Sequence, residues 1–113
     1  MVRRAKPLPS ASLHIVLALL DGELHGYALM GRVAELSDGL VRMGPGTLYG
    51  TLNRLVADGL IEETTDRVER DDSERRRYYR LTADGRAVAL AELARLQAMV
   101  HRIAAHLPGA ATA

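Results

Sequence analysis

Four stretches of the chain repeat apolar residues at helical spacing, and between the third and fourth the pattern changes to that of strands. The first stretch runs from Ser10 or Ser12, either of which can cap a helix, to about Leu20, with Gly22 after Asp21 as its stop. Leu13, Ile15, Val16, Leu17, Leu19 and Leu20 fall on nearly all of its sides, so the spacing predicts a helix buried by a partner chain as well as by its own. The second, about Gly26 to Ser37, carries Leu29, Val33 and Leu36 on one face and ends at "SDG". The third is "PGTLYGTLNRLVADG", with Gly44 as N-cap, Pro45 at the first helical position and Gly59 as stop. Its inward face is expected to be Leu48, Leu52, Leu55 and Val56. "LIEETTDRVER" and "RRRYYRLT" then read as two strands joined at the polar "DDSE".

From Ala83 to about Leu107 the pattern is helical again, with Thr82 as N-cap. Ala89, Leu93, Leu96, Val100, Ile103 and Leu107 form a heptad seam. At 1.5 Å per residue this helix spans roughly 37 Å, more than so small a domain can cover. The expected class is mainly α with a small β-hairpin: a winged helix-turn-helix domain plus a long C-terminal dimerisation helix. Residues 1–9 read as a flexible basic arm, 10–82 as the winged-helix domain, 83–107 as the dimerisation helix and 108–113 as a disordered tail. Leu93, Leu96, Val100, Ile103 and Leu107 are the candidate dimerisation residues.

Composition narrows the chemistry. A chain of 113 residues fits one domain. With four Tyr and no Phe or Trp, the core must be aliphatic and one chain cannot build an aromatic ligand cage. The absence of Cys removes disulfides, thiolate metal sites and cysteine nucleophiles. His101 and His106 lie on different faces of a helix, His14 and His25 have no ligand partner at useful spacing, and no nucleophile motif stands near a base. Neither an enzyme nor a cofactor is expected. Arg3, Arg4 and Lys6 before the Leu13–Leu20 run superficially resemble a signal peptide, but Pro7, Pro9 and His14 break the pattern and "DGELHG" offers no cleavage site. Eight residues cannot span a bilayer, so a cytoplasmic protein without membrane contact is expected.

Net charge is only +1, so any case for nucleic acid rests on where charges lie. The third helix makes that case. Gly46 and Gly50, each roughly 1 kcal/mol worse than Ala in a helix, face outward with Asn53, Arg54 and Ala57, and Thr47, Tyr49 and Thr51 flank them. A ridge without bulky side chains can lie close to DNA in the major groove, where amides and nearby Thr, Tyr, Asn and Arg donate hydrogen bonds. The competing explanation is internal: Gly50 avoids a neighbouring element and Tyr49 is a half-buried core ring.

"GPGTLYGTLNRLVADGLIE", "RRRYYRLTADGR" and "HGYALMGRV" together resemble the PadR family of bacterial transcriptional regulators, over about residues 13–90. The resemblance implies a winged-helix homodimer that represses promoters, often beside its own gene, and is released by a small molecule or by stress. It is similar to the shorter subgroup in which the single C-terminal helix and the first helix make the dimer. It also places Thr47 and Tyr49 in the DNA-reading helix and brings the wing to the DNA backbone or minor groove. The candidate DNA-binding set is therefore Thr47, Tyr49, Gly50, Asn53, Arg54, Arg70, Arg75, Arg76 and Arg77, and the expected partners are double-stranded operator DNA, a second copy of the chain and a small apolar effector. The wing departs from the family, since Asp71, Asp72 and Glu74 repel phosphate and leave its flanks, Arg67 included, as contacts; those arginines read equally as a solvated strand paired with local acids. Lacking Trp, the chain cannot sandwich a flat aromatic drug, so an effector site would be aliphatic, near Met99 or the first helix. Two other readings stay open: a winged-helix module that docks a protein and never touches DNA, and a ligand-sensing dimer that has lost DNA affinity.

Overall fold

The computed structural model describes residues 6–64 and 77–109. Helix α1 (Ser10–Ala18) tightens into a 3₁₀ turn (Leu19–Asp21), followed by β1 (Leu24–His25), α2 (Gly26–Leu36), α3 (Pro45–Ala57), β2 (Ile61–Thr64), β3 (Tyr78–Leu81) and α4 (Ala83–Ala104). The strands form an antiparallel sheet in the order β1-β3-β2, with Leu24 opposite Tyr79 and Ile61 opposite Leu81. This is the winged helix expected, with one strand more. The two residues of β1 are too few to show alternation and are strand only because β3 offers a free edge.

Helix α1 lies at the centre and packs on α2, α3 and α4. Ile15, Val16 and Ala18 have no exposed surface, nor do Leu29 and Val33 of α2 or Leu48 and Leu52 of α3. Leu55, Ile61, Tyr79 and Ala89 close this core. Neither serine caps α1. The cap falls one residue earlier, at Pro9, whose extended backbone places its carbonyl to accept from the Leu13 N–H at 2.8 Å, and Ser12 is buried inside the first turns. Leu36 and Val56, expected in the core, are 48% and 39% exposed. Each sits at the last turn of its helix, where the inward stripe has already drifted off the neighbouring element.

The junction of α3 with α4 is held by a clasp. Gly59, in the left-handed region at φ 78°, turns the chain after α3. Thr82 then donates its hydroxyl to Gly59 O at 2.6 Å and its N–H to Leu60 O at 3.0 Å, while its Oγ1 caps α4 by accepting from Gly85 N at 3.0 Å. Gly85 is pressed against the same turn: a Cβ there would stand 1.7 Å from Leu60 O. No other residue fits.

Helix α4 divides in two. Ala89 and Glu92 are buried against the rest of the chain, and Leu93 and Leu96 are half-buried. Beyond them Met99, Val100 and Ile103 stand open, Val100 being 63% exposed. The helix stops at Ala104, so Leu107, expected to continue the seam, lies instead in the turn that follows. Among the described residues the first half of the seam is therefore buried or half-buried and the second is open. No helix among the described residues is long and apolar enough to cross a membrane.

Candidate nucleic-acid interface

Helix α3 starts as its sequence dictates. Gly44 is extended, with φ −77° and ψ 170°, and its carbonyl accepts from Leu48 N at 2.9 Å; Pro45 follows at a position where a missing N–H costs nothing. Gly44 has no side chain, so no side-chain cap covers the first-turn amides. The inward face is Leu48, Thr51, Leu52 and Leu55. Thr51 does not flank the outer ridge: it is buried, and its hydroxyl donates to Thr47 O at 2.7 Å, which leaves it unavailable to a ligand.

The outer ridge is Gly46, Thr47, Gly50, Asn53, Arg54 and Ala57, all exposed. A Cβ added at Gly46 or Gly50 would meet no atom within 4 Å. Among the described residues no neighbouring element accounts for either glycine, and the ridge is a stretch of nearly bare helical backbone with Asn53 and Arg54 toward its end. Arg54 in the last turn also complements the helix dipole.

Tyr49 behaves differently. It is 37% exposed and its ring folds back from α3 onto the first turn of α2, where its hydroxyl lies over Gly26. His25 caps α2 by accepting from Ala28 N at Nδ1, 3.3 Å away, and meets Tyr78 edge-on with ring centroids 5.5 Å apart. The sequence singled out neither His25 nor Gly26 as part of this region, because the contacts that place them there, His25 with Tyr78 and Gly26 with Tyr49, join residues more than twenty positions apart.

At the base of the wing the positive charges are already met. Arg77 pairs with Glu63 at 3.3 Å and Arg80 with Glu62, directly opposite on β2, at 2.8 Å. Burial raises the Tyr79 phenol above its ordinary pKa, helped by the Glu63 charge and opposed by a hydrogen bond from Arg77. Arg70, Arg75 and Arg76, with Arg67 and the acidic wing tip, lie outside the described residues. Two surface hollows flank the Asp21–Glu23 loop, one lined by Arg32 and the other by Arg80 and Arg86. Apolar side chains line them beside these charges, Ala18 and Leu24 in the one and Leu19, Leu20 and Leu81 in the other, and Met99 is on the open face of α4. No group of three or more metal-ligating side chains occurs among the described residues.

A scan against protein families matches residues 16–91 to the transcriptional regulator PadR-like family. The chain belongs to the PadR-like family. It is 46% identical over 89 residues to the transcriptional regulator Rv3488 of Mycobacterium tuberculosis H37Rv, a match covering 74% of this chain and 78% of that one. Among solved structures it is similar to a PadR family regulator from hypervirulent Clostridium difficile R20291, with a TM-score of 0.71 and 22% identity over 87% of this chain and 97% of that one. Bacillus subtilis PadR in complex with operator DNA shares the fold at a TM-score of 0.66 and 22% identity, over 75% of this chain and 47% of that chain. The chain is thus a PadR-type transcriptional regulator with a winged-helix fold, and the family is one of transcription regulators, not enzymes.

Proposed function

We propose that this PadR-type regulator binds a pseudo-palindromic operator as a homodimer and represses the promoter it covers. The observation that carries the reading is the α3 ridge: two glycines weaken the helix, and nothing inside the described molecule gains from them. DNA lying against bare backbone would supply that gain, with Thr47, Asn53 and Arg54 as donors beside it. The open second half of α4 supports the dimer, because Val100 and Ile103 at heptad spacing gain from a second copy what one chain does not give them. Two-fold symmetry would then set two α3 helices in successive major grooves, about 34 Å apart. The fold shared with a PadR that binds its operator supports the same arrangement. Bound DNA would place the protein in the cytoplasm, and a small apolar effector acting on the dimer near Met99 and α1 belongs to this reading.

Selection of bound DNA from a random pool with the purified protein, its mass in solution measured alongside, tests the reading. A two-fold symmetric site bound by a dimer is expected. No selected sequence, or a monomer, sinks it. One observation favours a protein-docking module instead: Glu62 and Glu63 already neutralise Arg80 and Arg77 at the wing base. Such a module would bind DNA no more tightly at low salt than at high salt, whereas phosphate neutralisation makes affinity fall steeply as salt rises.

A further inference from the structure

Gly26 is the first residue of α2 and is buried, and its backbone conformation is one that any residue adopts. What requires glycine there is Tyr49. A Cβ at position 26 would stand 2.2 Å from the Tyr49 hydroxyl oxygen, 2.9 Å from Cζ and 3.3 Å from Cε1. A tyrosine on the open side of a helix ordinarily exchanges among rotamers. This ring instead lies across the two helices of the helix-turn-helix in the space that a methyl group on residue 26 would take, and Tyr49 stays 37% exposed.

We propose that Gly26 is a positioning residue for DNA binding: by leaving its Cα bare it holds the Tyr49 hydroxyl at the junction of α2 and α3, oriented to donate to the operator. The inference rests on the reading of α3 as the DNA-reading helix. A fixed hydroxyl binds more tightly than a mobile one because its rotamer freedom is already lost before DNA arrives. Gly26 differs from Gly85 in what blocks the methyl group. At Gly85 the obstacle is the Leu60 backbone, which cannot yield, whereas at Gly26 it is the far end of a side chain that can swing away. Gly26→Ala therefore unseats Tyr49 and leaves the fold in place, and Ala is the better helix former.

Two measurements decide it. In the free protein, NMR should show a contact between the Gly26 Hα protons and the Tyr49 ring, and in Gly26→Ala the Tyr49 ring should shift while the core resonances of α1 and α4 stay put. On selected DNA, Gly26→Ala and Tyr49→Ala should each weaken binding by about tenfold, the loss of one hydrogen bond to a charged group, and the double variant should be no weaker than Tyr49→Ala alone. The proposal is overturned if the parent shows no Gly26–Tyr49 contact, or if the Gly26→Ala penalty persists undiminished without the Tyr49 ring. A parent that binds no selected DNA would overturn the operator reading and with it the role of Tyr49 on DNA, while the NMR contact would still decide whether Gly26 seats the ring.

Discussion

Gly85 at the start of α4 and Gly50 in the middle of α3 are the same residue in the same kind of helix, and their surroundings are opposite. A methyl group on Gly85 would drive into the Leu60 carbonyl; one on Gly50 would meet nothing. The first glycine is explained within the chain. The second is not, and a helix that accepts a weaker residue without an internal return points to something outside it.

The largest effect belongs to the crowded side of this contrast. Gly85→Ala should destabilise the fold by about 3 kcal/mol, the upper range for forcing atoms into a packed site, read as a lower midpoint in denaturant. A loss below about 0.5 kcal/mol would mean that the clasp yields easily and that crowding does not distinguish the two glycines. Next comes the other surface left without an internal partner. Val100→Asp with Ile103→Asp should convert a dimer to a monomer by light scattering, since burying each side chain is worth roughly 1.5–3 kcal/mol. A dimer that survives both changes would move the interface away from late α4.

On the open side of the contrast the sign reverses. Gly50→Ala should stabilise the free protein by about 1 kcal/mol through helix propensity alone, and Gly46→Ala by less because it lies in the first turn. Destabilisation by either would reveal a neighbour that the free chain does not show. The smallest effect is at β3. Burial, with Glu63 beside it, holds the Tyr79 phenol above its ordinary value of 10.0 despite Arg77, so the folded chain keeps a proton that the unfolded chain releases. Stability should be intact below pH about 10 and decline as pH rises through the folded value. Tyr79→Phe should flatten that decline in alkaline melts.

What was legible in the sequence was what is local. Gly44, Pro45 and Gly59 act on backbone groups within a turn or so of themselves, as Thr82 does in capping α4, so the ends of α3 and the start of α4 could be read directly, while the bonds of Thr82 to Gly59 and Leu60 could not. The outward direction of Gly46 and Gly50 followed from helical spacing in the same way. Contacts between distant segments left no such mark. The β1 pairing with β3 joins Leu24 to Tyr79, the Tyr49 ring crosses to Gly26, and Gly85 meets Leu60, and in none of these does either residue carry a pattern that names the other. Leu36, Val56 and Leu107 mark a related gap: spacing says which face a side chain shares but not where the neighbouring element, or the helix itself, ends.

The most direct measurement is the affinity of Gly50→Ala for the DNA that the parent selects, taken on the same preparation whose stability is measured. A variant more stable than the parent yet at least several-fold weaker on that DNA is the expected result. Equal or tighter binding would contradict the claim that the thinned ridge of α3 exists to lie against a duplex.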